Sequence, residues 1–384
     1  MKLSDLTGQV KISARHACAF VSTWFDPEDI ICVVGRRSEK TGKNDTLSHS
    51  ITAAEFCRYT DEDLEGLIFS DGTKWNLYLG VAPIKEHVSL TQRGNEDNVS
   101  HVTGVWADLD LKPESFGSRE EILAFLFQEI AFPPTVVVAS GSGGIHAYWK
   151  LNREEKGDKE LVERWWAYLD EKAGPDRKID KLVDLTRILR IPGTVYFPKA
   201  DSSAKIGSVE IMYLIDRTYS VEEITAMSED AFKKKHEKRK RLISEDANRR
   251  LDVALFARDR MAGQEANKWT MYRAISEVED YVNTHISWAE ILEPHGWKWQ
   301  RTLRDGSNEW ARPGRDERSA VVDYEDSPVM SLLSSSEETR LDDLKDAHIP
   351  ITKYRAMLRL QFGDDHEQEM VDYLIPRMQR DGII

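Results

Sequence analysis

Apolar positions along the chain recur with two periods, and the switching between them outlines the fold. Between residues 75 and 213, stretches with strand-like patterning alternate with stretches at helical spacing. WNLYLGVAP and HVTGVWADLD are rich in β-branched and aromatic residues and predict strands. Ser118 with Glu121 predicts a capping box, after which Ile122, Leu123, Leu126, Phe127 and Ile130 form a helical stripe that Pro133 and Pro134 end. TVVVAS predicts the next strand, and the glycines from Gly141 to Gly144 turn it into IHAYWKL as a hairpin. A second helix is expected to bury Leu161, Trp165 and Leu169 and to stop near Gly174 and Pro175, before SVEIMY adds a strand. The pattern is that of an α+β sheet domain.

Beyond about residue 220 the pattern changes, and no convincing strand is legible. Met271, Ile275, Val278 and Val282 fall on one helical stripe. Trp288, Trp297, Trp299 and Trp310 mark a loop-rich or β-containing module whose rings are expected to sit in a core. SLLSSSEE reads as a linker, and helical periodicity returns over residues 339–384. The expected division is residues 1–220 for the α+β domain, 221–286 for a basic linker and helical bundle, 287–330 for the Trp-rich accessory module, and 331–384 for a helical C-terminal segment.

Composition narrows the classes. A length of 384 residues suits two or three domains. No apolar run reaches the roughly 18 residues of a membrane span, and MKLSDLTGQV lacks a signal-peptide core, so a cytoplasmic protein with no membrane partner is expected. Cys18, Cys32 and Cys57 contain no C-x-x-C, which argues against a disulfide framework and against zinc. The net charge of -14 excludes a generally basic surface, although Lys233, Lys234, Lys235, Lys238, Arg239, Lys240 and Arg241 form a local cationic run. That run suits either a phosphate backbone or a solvated helix face.

Three segments carry candidate chemistry. Asp108 and Asp110 close an apolar strand, and the two-residue period puts both carboxylates on one face, where hard oxygen ligands suit Mg2+ or Mn2+. An Asp-x-Asp pair is also a common solvated strand end. SGSGGIHAYWK offers backbone N–H groups at Gly143 and Gly144, the Ser142 hydroxyl and the His146 ring to an anion, or else is a plain hairpin. LVDLTRILRIPGTVYFPK sets Asp184 among Arg187, Arg190 and Lys199, so Asp184 either pairs locally with Arg187 or supplies a third metal carboxylate.

Together, WADLDLK, SGSGGIHAYW and DLTRILRIPGT resemble, in order, the three motifs of the archaeo-eukaryotic primase superfamily, particularly the primase-polymerases of phage and plasmid replication. NLYLGVAP and the pair Arg93 and Gly94 match segments usual upstream. The resemblance implies an RRM-like catalytic sheet beside an N-terminal α/β unit. It implies two Mg2+ or Mn2+ ions on Asp108, Asp110 and Asp184, and a triphosphate held by Ser142, Gly143, Gly144, His146, Arg187, Arg190 and Lys199. Tyr196 and Trp149 are the aromatic candidates for contact with the sugar. The implied partners are a single-stranded DNA template, a primer strand, NTP or dNTP substrates and a replicative helicase. GRRSEKTGKN has the wrong spacing for a Walker motif, so any helicase would lie outside these residues. Two other readings stay open: a non-catalytic module that binds single strands, and a replication-initiator endonuclease, for which HAY lacks the usual His-x-His pair.

Overall fold

The computed structural model describes residues 10–38, 45–87, 94–156, 159–199, 204–262, 271–324, 327–333 and 339–384. These residues combine helices with antiparallel sheets and divide into two units, Met1–Lys233 and Lys234–Ile384. Arg93 and most of SLLSSSEE lie outside the described residues.

The first unit contains β1 (Ile30–Arg37), β2 (Thr46–Thr52), β3 (Trp75–Gly80), β4 (His101–Leu109), β5 (Val136–Ala139), β6 (Ile145–Lys156), β7 (Ile188–Arg190), β8 (Val195–Tyr196), β9 (Gly207–Ser208) and β10 (Glu210–Leu214). One sheet has the order β2-β1-β3-β7 and the other β10-β5-β6-β4, while β8 and β9 pair by themselves. In the second sheet, β4, helix Arg119–Ala124, β5, β6, helix Lys159–Ala173 and β10 follow the β-α-β-β-α-β order of a split βαβ unit. β10 joins at the edge beside β5. The expected hairpin is present, with β5 and β6 antiparallel.

Capping follows the sequence with one shift. Ser118 Oγ accepts the Glu121 N–H at 3.1 Å, but the Glu121 carboxylate takes the N–H of Gly117 rather than that of Ser118. Helix Lys159–Ala173 buries Leu161, Trp165 and Leu169, and Gly174 takes the left-handed conformation that ends it. Helix Ala14–Trp24 covers the second sheet, setting Phe20 and Trp24 against the Tyr148 ring at 4.9 and 5.1 Å. The Trp24 indole donates to the Val81 carbonyl at 2.8 Å.

Gly104 lies in β4 directly beneath Trp24, and a Cβ there would meet the Trp24 ring and the Trp149 carbonyl oxygen. Neither can retreat, because both belong to the core. Gly104→Ala is therefore expected to cost about 2–3 kcal/mol of stability, read as a lower midpoint in urea unfolding with an unchanged slope.

The second unit is helix-rich and also holds a five-stranded sheet, three of whose strands lie in the segment read as loop-rich or β-containing. Its strands are β11 (Lys298–Thr302), β12 (Asn308–Ala311), β13 (Ala320–Val322), β14 (Val329–Leu332) and β15 (Ile351–Thr352), in that order. The bundle, Trp-rich and terminal segments expected as separate parts share one apolar cluster, which joins Val278, Val282, Trp288, Trp310, Met330 and Leu374. Trp288, Trp297 and Trp310 are buried, whereas Trp299 on the edge strand is 53% exposed. The basic run lies on helix Val221–Ala262, which the division between units crosses. No helix among the described residues is long and apolar enough to cross a membrane.

Candidate active site

The end of β4 and the start of β6 build the site. In their antiparallel register Asp108 lies opposite His146 and Leu109 opposite Ile145, so the Asp108 and His146 side chains share a face. His146 Nε2 stands 3.6 Å from Asp108 Oδ1, which is too long for a hydrogen bond. Asp108 Oδ1 and His146 Nδ1 are both buried without a hydrogen-bond partner. Burial, and then the repulsion of Asp110 and Asp180, raises the Asp108 pKa to about 7, although Arg190 and Lys112 oppose the shift. Burial and the Arg190 charge drop His146 to about 3, so its ring is neutral near pH 7 and offers one N–H.

The loop between β5 and β6 is shaped by its glycines. Gly143 has a φ of 111°, in the region open to glycine. A Cβ at Gly144 would come within 2.7 Å of the Leu109 carbonyl oxygen and 3.2 Å of Asp110 Oδ1, so the loop backbone lies against the carboxylate only because this residue is glycine. Ser140 Oγ donates to the Gly144 carbonyl at 2.9 Å and lies 3.0 Å from Ser142 Oγ. Arg190 Nη1 donates to the Ser140 carbonyl and to Ser142 Oγ, each at 3.2 Å. β7 belongs to the first sheet, so this contact ties the third motif to the loop of the second sheet. The Arg190 guanidinium also lies over the Tyr78 and Tyr196 rings, with its carbon 5.7 and 4.6 Å from their centres.

The sequence candidates thus fall into groups. Asp108, Asp110, Ser142, Gly143, Gly144, His146 and Arg190 come together around the ends of β4, β5 and β6. Asp184 does not join them as the expected third acid: its Oδ2 pairs with Arg187 Nη2 at 2.8 Å and its Oδ1 accepts from Thr186. That is the local ion pair which spacing alone allowed. Arg187 is accordingly engaged with Asp184, and Lys199 is exposed beyond β8. Trp149 is fully buried, with its indole donating to the Phe132 carbonyl, so it is a core residue rather than a sugar contact.

Three residues that motif reading passed over lie at the site. Lys112 Nζ stands 2.9 Å from Asp110 Oδ2 and 3.1 Å from Asp180 Oδ2, and Asp180 also acts on Asp108. Burial works against the Lys112 ammonium, but Asp180 and Asp110 outweigh it and raise its pKa. Asp180 lies in an irregular stretch with no periodicity to mark it. Arg119, at the start of its helix, donates to the Gly143 carbonyl at 3.3 Å and steadies the loop.

Among the described residues, no three His, Cys, Asp or Glu side chains converge to hold a metal by themselves. The Asp108 and Asp110 pair nevertheless has the donor chemistry for one. Asp108 Oδ1 is a buried oxygen without a partner, and Mg2+ is commonly held by one or two carboxylates together with substrate phosphates.

No protein-family model matches the chain, and no curated protein matches it. Solved structures similar to it include the primase-polymerase (AEP domain) of cyanophage S-2L, at 12% identity and a TM-score of 0.40, with 56% of this chain and 98% of that one covered. Primase RepB′ is similar at 14% identity and a TM-score of 0.39, with 93% of this chain and 98% of that one covered. The catalytic domain of primase RepB′ in complex with initiator DNA is similar at 12% identity and a TM-score of 0.36, with 57% of this chain and 95% of that one covered.

Proposed function

We propose that the chain is a DNA primase and template-dependent DNA polymerase that joins nucleotides through a 3′-hydroxyl, releases pyrophosphate, and serves phage or plasmid replication. One observation carries this reading: Asp108 faces His146 across one strand pair, and Arg190 is hydrogen-bonded to the glycine loop beside them. Two acids, a neutral imidazole, a hydroxyl and an arginine beside a glycine loop suit the positioning and charge neutralisation that nucleotidyl transfer relies on.

In this reading Asp108 and Asp110 hold Mg2+ or Mn2+, with Asp180 as the neighbouring third acid. The ions supply charge neutralisation on the triphosphate and a lower pKa for the attacking hydroxyl. Ser142, the Gly143 and Gly144 backbone, His146 and Arg190 grip the triphosphate. Tyr78 and Tyr196 stack on Arg190 and fix the direction of its fork. His146, being neutral, donates a hydrogen bond without adding charge. Lys112 neutralises Asp110 and Asp180 when no cation is bound, and is expected to swing aside when one is.

The test is incorporation of labelled nucleotides by the full chain on single-stranded DNA, with and without a primer, in Mg2+ or Mn2+. Extension of a primer supports the polymerase, and products without a primer support the primase. Binding to the strand with no incorporation in either metal overturns the proposal in favour of a non-catalytic binding module.

The placement of the acids gives a sharper outcome. Asp180→Ala is expected to lower incorporation by about 100-fold, the scale of one electrostatic contact at a reacting centre. Asp184→Ala is expected to change it by less than about fivefold while slightly lowering the melting temperature through loss of the pair with Arg187. The reverse order of sensitivities would return Asp184 to the metal site.

A further inference from the structure

Helix Ala14–Trp24 and the short helix Ala53–Phe56 bring two cysteines together, apart from the groups assigned to catalysis. Cys18 lies on the first helix, and Cys57 caps the second, its N–H donating to the Ala53 carbonyl at 3.0 Å. The Cys57 thiol donates to the Cys18 carbonyl at 3.6 Å and is also hydrogen-bonded to the Cys18 side chain. Both residues are only partly buried, and neither is in a disulfide. The frame that holds them is packed. Ala17, Phe20 and Val21 near Cys18 and Phe56 beside Cys57 belong to one apolar core, and the Ala14 N–H donates to Asp61 Oδ1 at 2.6 Å.

Two thiols in contact suit a metal, a passive core or a reversible bridge. A structural metal needs further ligands, and among the described residues no three His, Cys, Asp or Glu side chains converge. A passive core role describes Cys32, which is 2% exposed and packs with Val34 and Ile188. It does not account for two partly exposed thiols side by side. Because these side chains already touch on a packed frame, rotation about their own bonds can bring the sulfurs to the roughly 2 Å of a disulfide. Burial, and then the Cys18 thiol, push the Cys57 thiol up to about 12, so Cys57 is protonated at neutral pH and attack begins at Cys18. Capping Cys18 ends the second of these causes and frees Cys57 to follow.

We propose that Cys18 and Cys57 form a thiol modification site that takes a low-molecular-weight disulfide of the glutathione class and closes to an internal bridge. Cys18 gives up its proton, and its sulfur attacks one sulfur of the small disulfide. That S–S bond breaks, and one small thiol leaves with the proton. Cys57 then gives up its proton and attacks the Cys18 sulfur of the mixed disulfide, and the second small thiol leaves. The two protein thiols lose two electrons, and the small disulfide is reduced to two thiols. The bridge closes the chain segment that holds β1 and β2 onto helix Ala14–Trp24 and restricts the unfolded chain.

The test treats the full chain with oxidised glutathione, blocks the remaining thiols with N-ethylmaleimide in urea, and maps the peptides by mass without reduction. The expected product is the Cys18 peptide joined to the Cys57 peptide with the loss of two hydrogens, Cys32 being recovered as its maleimide adduct. The melting temperature is expected to rise by several degrees, and dithiothreitol to reverse both changes. Cys57→Ser is expected to stop at one glutathione on Cys18. Cys18→Ser is expected to take up glutathione at Cys57 about tenfold more slowly than the Cys57→Ser chain does at Cys18. Circular dichroism establishes that both variants are folded. No joined peptide at any excess of oxidised glutathione, a bridge that includes Cys32 or links two chains, or glutathione that stays on both cysteines without a bridge overturns the proposal.

Discussion

Asp108→Asn is expected to lower nucleotide incorporation by roughly a thousandfold or more and at the same time to stabilise the metal-free chain at pH 8. The two effects have one cause. The Asp108 pKa is raised to about 7 by burial and by its acidic neighbours, whereas an unfolded Asp titrates near 3.9. The folded state therefore holds the proton more tightly than the unfolded state does. Its contribution to stability is complete below about pH 4 and is lost as pH rises towards 7. At pH 8 the half-buried carboxylate, with its Oδ1 unpartnered, is a cost of the order of 2 kcal/mol after relaxation of the surroundings. Asparagine removes it. Melting in chelator should show the variant ahead of the wild type at pH 8 and level with it near pH 4. Divalent cation should stabilise the wild type and leave the variant unmoved. A variant less stable at pH 8 than the wild type would show that Asp108 is satisfied without a cation.

Arg190→Ala is expected to lower incorporation by about 100-fold, mostly through a higher KM for the nucleotide. This residue has no other part in the fold as large as its contacts to Ser140 and Ser142 and its stacking on Tyr196. It also holds the Asp108 pKa down. Removing it lets Asp108 keep its proton to higher pH, so the acidic limb of the pH–rate profile should move upward. Arg190→Lys keeps the charge and should restore the pH limb more fully than the KM, because a lysine lacks the fork. An unchanged KM and an unchanged limb in Arg190→Ala would remove Arg190 from the site.

Much of the first unit was legible because its signals are local. The strands HVTGVWADL, VVVA and IHAYWK are apolar runs bounded by turn residues, and the stripe of Leu161, Trp165 and Leu169 has a helical period. The second sheet of that domain follows directly from them. The five-stranded sheet of the second unit is legible only as a loop-rich or β-containing module over residues 287–330, which holds three of its strands, and not strand by strand. All five residues of β11 are exposed, so it shows no alternation, and β13 and β15 have only three and two residues.

The site divides in the same way. Asp108, His146 and the glycines announce themselves by spacing on one hairpin and its neighbour. Asp184 also looked chemical by spacing, yet its nearest partner is Arg187, three residues along the chain. Asp180 owes its place to Lys112, 68 residues away in sequence, a contact that no local pattern encodes. Arg190 was identified by its motif, but its seating between two tyrosines from β3 and β8 depends on how the first sheet folds.

The central claim is that two carboxylates at the end of β4 serve a metal-dependent polymerase. The most direct measurement is extension of a primed DNA template in Mn2+ by the wild type and by the Asp108→Ala, Asp110→Ala double variant, with circular dichroism to establish that both are folded. Extension by the wild type and none by the folded double variant is the expected result. Extension by the folded double variant at a rate near that of the wild type would contradict it.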